Sequence, residues 1–125
     1  MTQRHSQPTR RTLAVAGLLA LVCGTAQAGD VTLVDFNRDI RPILSDTCFT
    51  CHGPDENKRV SELRLDLRDA VFASLDGSRA VVPGAPDDSE LIRRIRSDDP
   101  DLRMPPPDSG RVLTGAQIAL FEEWI

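Results

Sequence analysis

Apolar residues recur at helical spacing in four short stretches of the chain, and these stretches predict its helices. They cover residues 34–44, 68–74, 86–96 and 114–125. Pro42 lies inside the first stretch, where it removes a backbone donor and restricts the preceding residue, so we expect a kink or a late helix start. The positions predicted to be buried are Phe36, Ile40, Ile43, Leu44, Leu67, Ala70, Val71, Phe72, Leu91, Ile92, Ile95, Ile118, Phe121, Trp124 and Ile125.

Capping residues indicate where these helices begin. Asp35 or Asn37 can cap the first helix and Asp66 the second, because a short polar side chain accepts a hydrogen bond from the free amides of a first turn. The third helix has an acidic first turn and arginines in its last turn, an arrangement that the helix dipole favours. Thr114 and Gln117 form a capping box at the start of the fourth helix.

The segments between the helices are predicted to be irregular. Residues 63–67 alternate as a strand does, but they are too short and isolated for a sheet, so we expect an extended segment that lies against the core. Residues 80–84 are an apolar approach to a turn, and residues 96–108 are a loop that prolines stiffen. The pattern therefore predicts a small all-α domain with long irregular loops.

The N-terminal segment has the organisation of a secretory signal peptide. Three arginines precede an apolar run at residues 13–22, and Ala26-Gln27-Ala28 is a small-x-small cleavage signal. We expect cleavage after Ala28, which leaves residues 29–125 as one domain without a membrane span. The apolar run is about half of the roughly 20 residues that span a bilayer, so a retained anchor is the weaker alternative. Twin-arginine export and lipidation of Cys23 are also less favoured.

Charge and composition narrow the classes of partner. Residues 29–125 carry 12 basic and 19 acidic residues, a formal charge of −7. This charge argues against nucleic acid or an anionic lipid surface as the partner. The chain has only four phenylalanines, one tryptophan and no tyrosine, so a domain of this size has a marginal apolar core unless a bound group adds to it.

The motif that carries chemistry is Cys48-Phe49-Thr50-Cys51-His52. A C-x-x-C-H run is typical of covalent attachment of a c-type haem, in which two thiols add to the porphyrin vinyl groups and the histidine coordinates the iron. Gly53-Pro54 is expected to end this turn. A dithiol redox pair and half of a zinc site are the alternatives, although no βαβ pattern and no further zinc ligands are visible in the sequence.

Met104 is the candidate for a second axial ligand. A single methionine is usually core filler. After residue 28, however, Met104 is the only methionine and His52 the only histidine, so no second histidine competes for the iron. The proline-rich loop at residues 96–108 can hold a thioether against a haem without helical structure.

These residues together resemble the planctomycete-type cytochrome c domain, a branch of the class I cytochrome c superfamily. The matching stretches are residues 36–44, 48–55, 63–66, 82–84, 89–95, 103–106 and 120–125. The resemblance implies a mainly helical fold wrapped round one haem, with Cys48 and Cys51 as thioether attachments and His52 and Met104 as axial iron ligands. Members of this family commonly continue into much larger domains. The last apolar stripe stops at Ile125 without a C-cap, so we expect a truncated chain.

A one-electron carrier in the periplasm, or otherwise outside the cytoplasmic membrane, is the function that these observations favour. With His52 and Met104 both bound, haem c iron has no vacant position for a substrate, so electrons would pass to a redox partner or to a fused C-terminal domain. Whether the chain is an enzyme stays open, with a carrier favoured. The alternatives are a haem enzyme or gas sensor in which Met104 is not bound, and a haem-free dithiol or metal site.

Overall fold

The computed structural model describes residues 33–125, and the predicted signal peptide at residues 1–28 lies outside this part of the chain. Its helical elements are a π-helical turn at Phe36–Ile40, α1 at Arg41–Thr47, α2 at Phe49–His52, α3 at Arg68–Phe72, α4 at Glu90–Ile95 and α5 at Gly115–Trp124. Two 3-10 turns, Pro86–Asp88 and Pro107–Ser109, lie in the connections, and β1 (Ser74–Leu75) pairs with β2 (Ser78–Arg79). Within residues 33–125, no helix combines the length and apolar character needed to cross a bilayer.

The first helix accommodates Pro42 by widening the turn that precedes it. Arg41 donates its amide to the carbonyl of Phe36, five residues back, which defines the π-helical turn. Pro42 then lies in the first turn of α1, where a missing amide hydrogen costs little. The predicted cap is confirmed for Asp35, whose carboxylate accepts the Arg38 amide at 2.8 Å. Of the two expectations, the late start is confirmed, since α1 begins at Arg41 after the widened turn and continues to Thr47.

The predicted cap of α3 is wrong. Asp66 binds Arg64 through two hydrogen bonds of 2.7 and 2.5 Å, and α3 begins after Leu67 without a side-chain cap. The carboxylate therefore has a cationic partner and does not accept the amides of the helix. The burial of Leu67 is also wrong, since this side chain is 46% exposed, whereas Val71 is buried as predicted.

A small hairpin follows α3 and was not predicted. The antiparallel strands β1 and β2 pair Ser74 with Arg79 and Leu75 with Ser78. The two residues between them, Asp76 and Gly77, have φ values of 50° and 82°. Asp-Gly with both φ values positive suits the tight turn whose twist matches a hairpin. The fold is thus helix-rich, as expected, with one two-stranded sheet added to it.

Ser89 joins the segment at residues 80–85 to the start of α4. Its side chain is buried, accepts the Val82 amide at 2.9 Å and donates to the Ala85 carbonyl at 2.9 Å. The predicted helix start is confirmed in position, but a 3-10 turn occupies Pro86–Asp88 and the α-helix begins after Ser89. One hydroxyl therefore satisfies two backbone groups in the interior.

We expect Ser89→Ala to lower the free energy of unfolding by about 1–3 kcal/mol, because it leaves the Val82 amide without its partner in the interior. Chemical denaturation of the purified domain measures this change. Ser45→Ala, at an exposed position of α1, is the matched control and should leave the midpoint unchanged. Equal midpoints for the two variants would contradict the assigned role of Ser89.

The core lies where α1, α4 and α5 meet the extended segments. Its buried apolar residues are Ile40, Ile43, Leu44, Leu65, Val71, Ala80, Val81, Ile92, Ile95 and Phe121. The capping box of Thr114 and Gln117 is confirmed at the start of α5. The ring of Trp124 packs on Phe36 with 5.3 Å between centroids, so α5 closes over the first helix. Leu65 is buried, as expected for an extended segment that lies against the core.

Candidate functional site

The C-x-x-C-H motif forms one helical turn at the end of α1. The Cys48 amide donates to the Leu44 carbonyl at 2.8 Å, so the first helix leads directly into the motif. The amides of Cys51 and His52 both donate to the Cys48 carbonyl, at 3.1 and 2.9 Å. Cys48 and Cys51 are half-buried and are not joined by a disulfide. Two free thiols thus lie one helical turn apart, directly before a histidine.

Gly53 ends this turn, as predicted, and its lack of a side chain is required there. A methyl group built on Gly53 would lie 2.2 Å from the Phe49 carbonyl oxygen and 2.7 Å from the Phe49 Cβ. Real carbon atoms do not approach a backbone oxygen this closely. Any larger residue at this position would therefore displace the turn that carries Cys51 and His52.

Gly53→Ala is expected to destabilise the domain by about 3 kcal/mol, because the added methyl group overpacks the backbone of Phe49. The same change should lower the yield of folded protein on export. Thermal unfolding measures the first effect. Gly115→Ala is the control, because a methyl group there has no neighbour within 4 Å. An unaltered melting temperature for Gly53→Ala would contradict the steric argument.

The Cys48 thiol has an apolar environment with one weak hydrogen bond. Thr47 donates its hydroxyl to the Ile43 carbonyl at 2.5 Å, and the same oxygen lies 3.4 Å from the Cys48 sulfur. Burial raises the pKa of the Cys48 thiol, while the Thr47 hydrogen bond and the Arg111 cation partly oppose this rise. Reactive thiols of redox-active C-x-x-C pairs have lowered pKa values. The environment of Cys48 therefore differs from that of a nucleophilic dithiol switch.

His52 is held from one side by the extended segment that follows it. Its Nδ1 lies 3.4 Å from the Leu63 carbonyl oxygen, and its own carbonyl accepts the Leu65 amide at 2.8 Å. Donation from Nδ1 to Leu63 leaves Nε2 as the unprotonated nitrogen, the arrangement common in metal-binding histidines. Burial lowers the pKa of the His52 imidazole, the Leu63 hydrogen bond opposes this, and the Arg94 cation lowers it further. The neutral ring is thus favoured at neutral pH.

Met104 lies on the loop that follows α4 and packs against the core. Its amide donates to the Arg94 carbonyl at 3.1 Å, and its side chain is half-buried. Met104 borders an open cavity of about 430 Å³, whose apolar wall includes Ile95, Leu113 and Ile118. A half-buried thioether beside an open cavity with a partly apolar wall suits a ligand to a large flat group better than a sealed core position.

The structure packs Cys48 and Met104 against one core, but the four predicted residues do not line one cavity. Cys48 and Met104 both pack against the same set of buried side chains. Cys48, Cys51 and His52 are not among the residues that line the cavity at Met104. Arg111, which does line it, donates its Nε hydrogen to the Asp46 carbonyl at 2.9 Å, two residues before Cys48. The sequence did not indicate Arg111, because this contact joins positions 65 residues apart.

The donor set fits a covalently attached haem better than a zinc ion. Two free thiols, an imidazole with Nε2 available and a half-buried thioether are the groups that c-type haem attachment and axial ligation use. A structural zinc site needs four ligands. Among residues 33–125, no group of three or more His, Cys, Asp or Glu side chains is placed to hold a metal ion.

Comparison with known proteins finds one family match. Residues 48–108 match the family described as Planctomycete cytochrome C, a stretch that contains the C-x-x-C-H motif and Met104. No curated protein and no solved structure matches the chain. A match to this family implies haem c binding. Residues 48–108 of this chain therefore match the planctomycete cytochrome c family.

Proposed function

We propose that residues 29–125 are an exported one-electron carrier domain with a haem covalently attached to Cys48 and Cys51 and ligated by His52 and Met104. The observation that carries the proposal is the helical turn with two free thiols, followed by an imidazole whose Nδ1 is bound to the Leu63 carbonyl. When bound, the haem supplies an iron couple that exchanges one electron.

The protein residues have separate roles in this proposal. Cys48 and Cys51 tether the group to the end of α1, so it cannot dissociate during turnover. The Leu63 carbonyl orients His52 and fixes its tautomer. Met104 would be the second protein ligand of the iron, and it would leave no position there for water or a substrate. His/Met ligation also favours a relatively high reduction potential.

The domain is exported and exchanges electrons with a redox partner. Residues 1–28 direct export, and haem attachment then takes place outside the cytoplasm, most simply in a periplasm. The acidic surface steers a basic redox partner at low ionic strength. A fused C-terminal domain is the alternative electron acceptor.

A haem site with an open sixth position is the second candidate. One observation favours it: Met104 borders a cavity that Cys48, Cys51 and His52 do not line. If Met104 does not reach the iron, small molecules can bind there, and the domain acts as a gas sensor or a haem enzyme.

Spectroscopy of protein exported by a host with haem c maturation machinery separates these possibilities. We expect a c-type pyridine haemochrome, a thioether-to-iron charge-transfer band in the oxidised protein, and no carbon monoxide binding by the reduced protein at neutral pH. Rapid stoichiometric carbon monoxide binding would favour the open site. Colourless folded protein would rule out both haem functions.

A further inference from the structure

Arg111 connects the Met104 loop to the helix that leads into the C-x-x-C-H motif. It follows the 3-10 turn Pro107–Ser109 and Gly110, whose φ of 69° reverses the chain. Ser109 stiffens this reversal, because its hydroxyl donates to the Pro106 carbonyl at 2.6 Å and accepts the Arg111 amide at 3.2 Å. The loop that leaves Met104 is thus returned to Arg111 by a short hydrogen-bonded turn.

The Arg111 side chain binds the helix that leads to the attachment motif. Its Nε donates to the Asp46 carbonyl at 2.9 Å. Asp46 lies in the last turn of α1, where carbonyl oxygens have no partner within the helix. Arg111 therefore supplies a partner that the helix end needs, and it ties the Met104 loop to a point two residues before Cys48.

Two further observations place Arg111 at the site. It lines the cavity that Met104 borders. Its cation also acts on the Cys48 thiol, where it partly opposes the rise in pKa that burial causes. Within residues 33–125 its guanidinium forms no salt bridge with a carboxylate, unlike those of Arg64, Arg93 and Arg96. The contact with Asp46 is thus its principal fixed interaction.

We infer that Arg111 is a positioning residue for Met104, and that its Nε hydrogen bond to Asp46 holds the Met104 loop against the attachment helix. This inference rests on the proposed His/Met ligation. Loss of the hydrogen bond increases the fraction of molecules in which Met104 is off the iron. A hydrogen bond of ordinary strength predicts an increase of about three- to tenfold in that fraction.

Two variants separate the hydrogen bond from the charge. Arg111→Gln removes the charge but places an amide nitrogen at the position of Nε, so it can keep the bond to Asp46. Arg111→Leu removes both the charge and the donor. Arg79→Leu is the matched control, because Arg79 is an exposed arginine on β2 that does not line the cavity.

The measurement is a titration of the oxidised haem protein with imidazole at pH 8. Loss of the thioether-to-iron absorption band monitors the binding. Imidazole is neutral at this pH and must displace Met104, so its apparent affinity reports the fraction of unligated iron. We expect Arg111→Leu to bind imidazole about three- to tenfold more tightly than the wild type, and Arg111→Gln and Arg79→Leu to stay within about twofold of it.

Other results overturn the inference. Wild-type affinity in Arg111→Leu shows that the bond does not position Met104, and equal tightening in Arg111→Gln shows that the charge acts instead. If Arg111→Leu does not fold, Arg111→Gln combined with hydrogen exchange at the Met104 amide still decides. Faster exchange than in the wild type together with wild-type imidazole affinity shows that a loosened loop leaves Met104 on the iron, which overturns the inference. A wild-type protein without the thioether band overturns the proposed ligation itself, and this inference with it.

Discussion

Replacing both Cys48 and Cys51 with serine should abolish covalent haem attachment completely. Serine has nearly the same shape as cysteine but cannot form a thioether to a porphyrin vinyl group. Both side chains are half-buried, so the substitution itself should disturb packing little. Mass spectrometry of the denatured exported protein should show the polypeptide mass alone, whereas the wild type should carry the mass of one haem.

The stability of the double variant should fall as well. The buried set in residues 33–125 contains one aromatic side chain, Phe121. A domain of this size has little apolar surface to bury, and a tethered porphyrin would add a large part of it. We expect the double variant to lose its cooperative thermal transition, as measured by circular dichroism.

Thr50→Ser is the control for the cysteine variant, since it changes a half-buried residue of the same turn that is not proposed to bind haem. It should retain full haem content. Each single cysteine variant should attach haem through one bond, with lower yield. Haem that stays covalently bound in the double variant would show that the attachment residues have been assigned wrongly.

Met104→Ala should remove the thioether-to-iron band and open the sixth position to carbon monoxide. The sulfur is the ligand, so the loss of the band should be total. The reduction potential should fall, because replacing methionine removes the ligand that favours the reduced iron. Absorption spectra and a redox titration of the haem protein measure these effects.

Met104→Leu separates ligation from packing. Leucine keeps most of the volume that contacts the core, and such volume-conserving changes cost less than about 1.5 kcal/mol. We expect both variants to lose the band, but only Met104→Ala to lose about 2 kcal/mol of stability, a small value because Met104 is half-buried. A band that persists in Met104→Leu would assign the sixth ligand to another residue.

Local features were predictable because their causes lie within a few residues. The Thr114–Gln117 capping box, the Asp35 cap and the helical start before Ser89 all depend on neighbours at most four positions away. The Asp-Gly hairpin at residues 74–79 had a local signal too, in the turn residues themselves. Asp76-Gly77 is such a signal, because both residues tolerate the positive φ that a tight hairpin turn requires.

Competing partners explain why the cap at Asp66 was predicted wrongly. The sequence offered Asp66 both the amides of α3 and the guanidinium of Arg64, and a carboxylate binds a guanidinium with two charge-assisted hydrogen bonds. The preference of aspartate for helix N-cap positions does not take into account a nearby arginine that binds the same carboxylate. Leu67 lies directly before α3 and is 46% exposed.

The sequence by itself determined the candidate chemistry: two thiols and an imidazole in one turn, a single later thioether, and helices whose apolar stripes face one core. Only the tertiary structure decided which contacts hold the fold and these groups in place. His52 is bound by the Leu63 carbonyl, and the end of α1 is bound by Arg111. The Ser89 hydroxyl joins the segment at residues 80–85 to the start of α4. The physical reason is that side-chain identity sets which bonds a residue can form. A partner that lies many residues away in the sequence comes within bonding distance only when the chain packs into its tertiary structure.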